Sequence, residues 1–128
     1  MGHVGLTPQA LHQLGGYRVQ GRTDGDVILD AALAIEKAGA FAVVLELVPA
    51  ELAKKITQAL RIPTIGIGAG VDCDAQVLVW TDLMGITENP PKLAKAYRNL
   101  RREMADAAAE FAADVRSGDF PGPEHSFK

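Results

Sequence analysis

The sequence predicts an α/β fold with parallel strand pairing, and three observations carry that reading. The patterns alternate along the chain as strand–helix–strand–helix–strand–strand–helix, the order expected when helices connect parallel strands. A nine-residue run, Phe41-Ala-Val-Val-Leu-Glu-Leu-Val-Pro49, is apolar at all positions but one. Such a run reads as a strand covered on both faces, as strands of parallel sheets are. Finally, 128 residues with 48% apolar content suffice for one domain with a core.

The elements follow in order. Met1-Gly-His-Val-Gly-Leu6 reads as a short strand, and Thr7-Pro-Gln opens a turn. Gly15-Gly16 and Gly21 mark a loop that carries Tyr17, Arg18, Gln20 and Arg22. Asp24 is placed to cap a helix with an inner stripe of Ile28, Ala31, Ala32 and Ile35, ending at Gly39. The apolar run follows. A second helix is expected over about Ala50–Leu60, with Leu52, Ile56, Ala59 and Leu60 on one face. Pro63-Thr-Ile-Gly-Ile-Gly-Ala-Gly70 reads as strand passing into a glycine-rich loop.

Gln76–Trp80 fits two patterns. Its β-branched residues favour a strand, while Val77, Trp80 and Met84 fit a helical stripe ending at Gly85. The link back to Ile67 is short for a parallel crossover, which usually takes about a dozen residues; strand is the reading adopted. After Pro90-Pro91 a long helix is expected to about Ser117, with Leu93, Tyr97, Leu100, Met104, Phe111 and Val115 inward. Gly118 can end it, and residues 119–128 read as an irregular tail. Four strands and this length are about half of a closed β/α barrel, which takes eight strands and typically about 250 residues.

Composition excludes several classes. A net charge of −3 gives no support for nucleic-acid binding by bulk electrostatics. No apolar stretch is long enough to span a membrane, and no signal-peptide pattern follows Met1, so the expectation is a cytoplasmic protein. Cys73 is the one cysteine, which rules out an internal disulfide framework and a multi-cysteine metal site.

The chemistry-bearing feature is Glu46, near the C-terminal end of the apolar run. An ionised carboxylate in a dry interior costs on the order of several kcal/mol unless it is paired, wet or protonated. The C-terminal ends of parallel strands are where barrels and open sheets carry their chemistry. Glu46 is therefore a catalytic candidate, beside two plainer readings: a pair with a nearby Lys or Arg, or a carboxylate reaching solvent.

The stretches GHVGLTPQ (2–9), GGYRVQGRT (15–23), AGAFAVVLELVPAELAKKIT (38–57), IPTIGIGAG (62–70), CDAQVLVWTDLMG (73–85) and FPGPEHSF (120–127), taken together and in this order, resemble the ketopantoate hydroxymethyltransferase family. The resemblance implies a (β/α)8 TIM barrel of the phosphoenolpyruvate/isocitrate-lyase type. This chain would be its C-terminal half: one partial barrel domain over 1–128 holding strands five to eight, with a long C-terminal helix. The implied reaction moves a hydroxymethyl group from 5,10-methylenetetrahydrofolate, the co-substrate, to 3-methyl-2-oxobutanoate. The product, ketopantoate, leads to pantothenate and coenzyme A. The resemblance makes Glu46 the general base and puts His3 at the mouth of strand five as a substrate-binding or acid–base residue. It also implies magnesium holding the keto acid, with ligands on the first four strands. Those strands have no counterpart here, so no residue of this chain is assigned to the metal, and Met1 reads as an internal methionine of a longer protein. A homo-oligomer is implied for the full-length enzyme. The competing reading is a non-catalytic half-barrel that folds only by association, since half a barrel leaves two open edges.

The remaining candidates have plain readings beside the functional ones. Without the resemblance, His3 is a structural or solvated histidine near a terminus. Arg18 and Arg22 can meet the glutamate tail of a folate or simply be surface arginines. Gly66, Gly68 and Gly70 permit backbone approach to a ligand or close strand packing, and their spacing is not the dinucleotide-binding one. Asp72 and Asp74 flank Cys73, and turn and cap roles are favoured over metal binding. Asp82 stands close to Trp80, and Thr81 occupies a position where the family often has histidine. Arg98, Arg101 and Arg102 read as a solvated helix face, and Cys73 as an inert thiol.

Overall fold

The computed structural model describes residues 1–128. They form two compact units, Met1–Leu78 and Val79–Lys128, where the sequence reading treats the whole chain as one partial barrel domain.

The first unit is a four-stranded parallel sheet in the order β1 (Gly2–Gly5), β2 (Val43–Glu46), β3 (Thr64–Ile67), β4 (Ala75–Gln76). Helix α1 (Gly25–Lys37) connects β1 to β2, and α2 (Ala50–Ala59) connects β2 to β3. The strands alternate in burial: Val4, Val43, Leu45, Thr64 and Gly66 are buried, whereas His3, Val44, Glu46, Ile65 and Ile67 are half-buried. Because successive side chains point to opposite faces of a strand, these sets are the two faces of the sheet. The buried face packs on Ala32, Ala53, Ile56 and Leu60, with Ile28, Ala31 and Ile35 of the expected α1 stripe at its margin. Each large aliphatic side chain buried this way contributes about 1.5–3 kcal/mol.

Several boundaries differ from expectation. In α2 the buried stripe runs through Ala53, Ile56 and Leu60, while Ala59 is exposed; at 3.6 residues per turn Leu60 falls on the Ala53 side of Ile56, and Ala59 on the other. Asp24 precedes α1, but its side chain makes no cap bond. The fourth strand is Ala75–Gln76 instead of Gln76–Trp80. After Val77 donates its N–H to Gly66, the Val79 carbonyl accepts from Asp82 and Leu83, which turns the chain into a helix at Trp80. Both patterns read over Gln76–Trp80 thus hold in part, one at each end.

The second unit contains α3 (Trp80–Leu83) and α4 (Leu100–Ser117). The long helix starts at Leu100, about nine residues after Pro91, instead of just beyond it. The Tyr97 and Leu100 N–H groups donate to the Leu83 and Met84 carbonyls, satisfying the end of α3. Asn99 then caps α4 by accepting from the Arg102 N–H. Leu93 and Tyr97 therefore lie outside the helix, and α4 contains no buried residue: Met104, Phe111 and Val115, expected inward, are exposed. Gly118, at φ 84°, ends α4 as expected. In the tail, expected to be irregular, Pro123–His125 form one 3-10 turn, and Phe120 packs edge-on against Phe111. No helix is long and apolar enough to cross a membrane.

Candidate active site

Parallel pairing of β1 and β2 sets Gly5 opposite Glu46 and His3 opposite Val44, so His3 and Glu46 share the face turned away from α1 and α2. Their side chains meet: His3 Nε2 lies 3.0 Å from Glu46 Oε2. With the carboxylate ionised, the imidazole Nε2–H donates and Glu46 accepts. The side chains are 31% and 16% exposed, so the pair is reachable from solvent but not freely hydrated. This answers the cost of the lone carboxylate: Glu46 is partnered, by a histidine instead of the Lys or Arg considered from sequence.

The arrangement has a definite chemical capacity. One carboxylate oxygen is held by the imidazole, which orients the group, and the other is available to take a proton from a bound molecule. The imidazole can in turn stabilise or relay that proton. Val44, Ile65 and Ile67 give this face apolar surroundings.

The other candidates are not brought to this pair. Arg22 lines a separate cleft of about 410 Å³ with Thr23, Asp26, Glu51 and Lys55. Arg18 is exposed, and its carbonyl accepts from the Gln20 side chain. Asp72 pairs with Lys54 at 3.5 Å. Asp74 accepts from both the Thr64 N–H (2.8 Å) and the Thr64 hydroxyl (3.0 Å), and the Thr57 hydroxyl lies 2.9 Å from that of Thr64. Those two donors from Thr64 hold the Asp74 carboxyl below its ordinary range. Burial pushes the Cys73 thiol up, which keeps it a weak nucleophile at neutral pH. Asp82 is buried and accepts from the Thr87 hydroxyl, a structural use within the second unit. A Cβ at Gly66 would press on the Gln76 side chain and on Cys73 Sγ at 2.9–3.0 Å, so this glycine serves packing toward β4. Arg101 and Arg102 form exposed pairs with Glu88 and Asp106, and Arg98 donates to the Tyr97 carbonyl.

Sequence reasoning named His3 and Glu46 separately and missed their contact. The signal that could have joined them is weak, because every neighbour of Glu46 is apolar and the run shows no alternation to say which face it takes. The Thr57–Thr64–Asp74 network was missed outright; it depends on how the β3–β4 connection folds back, which spacing does not reveal. No group of three or more His, Cys, Asp or Glu side chains comes together anywhere in the structure.

The family model for ketopantoate hydroxymethyltransferase matches residues 1–123. A 3-methyl-2-oxobutanoate hydroxymethyltransferase of Acidothermus cellulolyticus is 62% identical over 99% of this chain and 48% of its own length. Those of Frankia casuarinae and Kosmotoga olearia are 57% and 53% identical, over 44% and 49% of their lengths. The chain therefore spans about half the length of the curated relatives it matches. With a parallel α/β sheet, half the extent of a TIM-barrel family and a match from the first strand to the tail, the chain belongs to the ketopantoate hydroxymethyltransferase family.

Proposed function

We propose that this chain carries the proton-abstracting half of a hydroxymethyl transfer from 5,10-methylenetetrahydrofolate to 3-methyl-2-oxobutanoate, with Glu46 as general base. The observation that supports this is the Glu46 carboxylate, held by His3 at the C-terminal end of a central parallel strand. The proton beside the keto group is acidic because the resulting negative charge delocalises onto the carbonyl oxygen. Glu46 takes that proton and becomes neutral, and His3, hydrogen-bonded to the same carboxylate, fixes its orientation. The carbanionic C3 then forms a bond to the folate methylene. Cleavage of the methylene's two bonds to nitrogen releases tetrahydrofolate: water supplies the hydroxyl group, and its remaining proton and the one held by Glu46 go to the two nitrogens.

Magnesium requires several oxygen ligands in near-octahedral array. The residues of this chain gather no such set, so they do not fit that ion by themselves. The cleft around Arg22 and Lys55 offers cations for the folate's glutamate tail, but Asp26 and Glu51 share it, which weakens that assignment.

The test is hydrogen–deuterium exchange at C3 of 3-methyl-2-oxobutanoate, followed by NMR with magnesium in the buffer. Exchange by the chain, reduced about 10²–10⁴-fold in Glu46→Gln, is the expected result. A folded chain that gives no exchange overturns the assignment for this polypeptide.

A second reading, a non-catalytic unit that pairs with a second copy of itself, is favoured by one observation. β1 and β4 end the sheet with no further strand beside them, and the face carrying Val44, Ile65 and Ile67 is only half-buried. A dimeric mass in solution, reduced to a monomer by a proline in β1 with the sheet intact, is its expected signature.

A further inference from the structure

Leu47, the residue immediately after Glu46, has φ 48° and is the one non-glycine residue in the chain with positive φ. Side-chain-bearing L residues enter this region at a cost, whereas glycine does so freely. The neighbouring strands meet the same demand with glycine, since Gly5 ends β1 at φ 85° and Gly68 follows β3 at φ 65°. Only the strand that carries the carboxylate places a side chain there. Strain of this kind persists only where the surroundings over-determine it.

The surroundings of Leu47 do so from three directions. Its N–H donates to the Ile67 carbonyl at 2.9 Å, and its carbonyl accepts from the Gln20 N–H at 2.8 Å. The Glu46 carbonyl accepts from the Leu6 N–H at 2.8 Å. Beside these three hydrogen bonds stands a change of phase. Period-two alternation would put residue 47 with Val43 and Leu45, and residue 48 with Val44 and Glu46. Instead Val48 is buried in the core cluster with Val43 and Leu45, and Leu47 is half-buried. The left-handed residue thus ends the His3 face at Glu46 and sends the chain straight back to the helix side.

We infer that Leu47 is a positioning residue for Glu46: its left-handed backbone closes the strand at the carboxylate and holds that carboxylate against His3. The left-handed basin open to a residue with Cβ is small, while glycine's is broad. A leucine pinned there therefore leaves the preceding carboxylate less freedom than glycine would. The inference rests on Glu46 being the working carboxylate, but the contact can be read without turnover, so a failure of catalysis and a failure of positioning are separate results.

The experiment uses the 128-residue chain with 15N-labelled histidine and reads the His3 ring-nitrogen shifts, assigned with His3→Gln. Glu46→Gln defines the shift of the broken contact. Leu47→Gly is expected to move His3 part of the way toward that value, and Leu47→Asn, which tolerates the left-handed region while keeping a side chain, to restore it. Leu47→Gly should also melt above Leu47→Ala by roughly 5 °C, the reverse of their usual order, because only alanine retains the positive-φ cost. The inference is overturned if Leu47→Gly leaves His3 at the wild-type shift, or if Asn fails to restore it in a folded chain. It is equally overturned if alanine melts above glycine, which would make Leu47 a packing residue in ordinary backbone.

Discussion

The two compact units use their apolar residues in opposite ways. In Met1–Leu78 the sheet has a buried face, and α1 and α2 set their stripes against it, so every buried hydrophobic side chain of the chain lies in this unit. In Val79–Lys128 the one buried residue is Asp82, and Met104 and Phe111 stand 59% and 56% exposed on an 18-residue helix. Both regions carry helical periodicity. The difference shows that periodicity names the residues a helix is able to bury, and that a second layer must be present before they are buried.

The contrast makes graded predictions. The largest effect belongs to Ile56→Ala, which empties a fully buried site in the first unit. Urea unfolding should show a loss of about 2–5 kcal/mol. A loss below about half a kcal/mol would erase the distinction between the units.

Next comes Thr64→Val, which removes a buried hydroxyl bonded to Asp74. A cost of about 0.5–1.5 kcal/mol is expected, the net worth of a hydrogen bond, because the exposed Asp74 carboxylate keeps the Thr64 N–H and turns to water. It also changes the acid response. The folded Asp74 carboxyl lies below its ordinary value of 3.8, so its stabilisation is present above that value and is lost as pH falls through the depressed one. Asp74→Asn should flatten stability against pH in that acidic window, and Thr64→Val should flatten it in part. Unchanged acid profiles in both would remove this network from the account of the first unit.

In the second unit the expected effects shrink. Asn99→Ala removes the side-chain acceptor at the start of α4, worth about 1 kcal/mol of helix stability. Faster amide exchange confined to the first turns of α4, with the first unit unaffected, would confirm that the units are separable. The smallest change is Met104→Ser, expected to stay within about 0.5 kcal/mol because the side chain is already exposed. A loss above about 2 kcal/mol would mean that α4 buries this face in solution, and the comparison would need to be redrawn around an association.

Much of the architecture was legible because its signals are local. The apolar run centred on β2, the α1 stripe through Ile28, Ala32 and Ile35, and the glycine that ends α4 are each written in consecutive residues. The position of Glu46 near a strand's C-terminal end was equally local. The failures fall where particular backbone hydrogen bonds, long-range or at a helix start, override pattern. The N–H groups of Tyr97 and Leu100 turn to the end of α3, so α4 starts late, and the Val79 carbonyl takes the chain out of β4 after Gln76.

The amino-acid order by itself determined the α/β class, the family, and the single carboxylate in an apolar strand, because each depends only on residue identity and spacing. Tertiary structure alone decided that His3 is the partner of Glu46, through the parallel register that brings residues 43 apart to 3.0 Å. It also decided that Leu47 takes the left-handed conformation, since Ile67, Gln20 and the core position of Val48 impose what the local preference of leucine opposes.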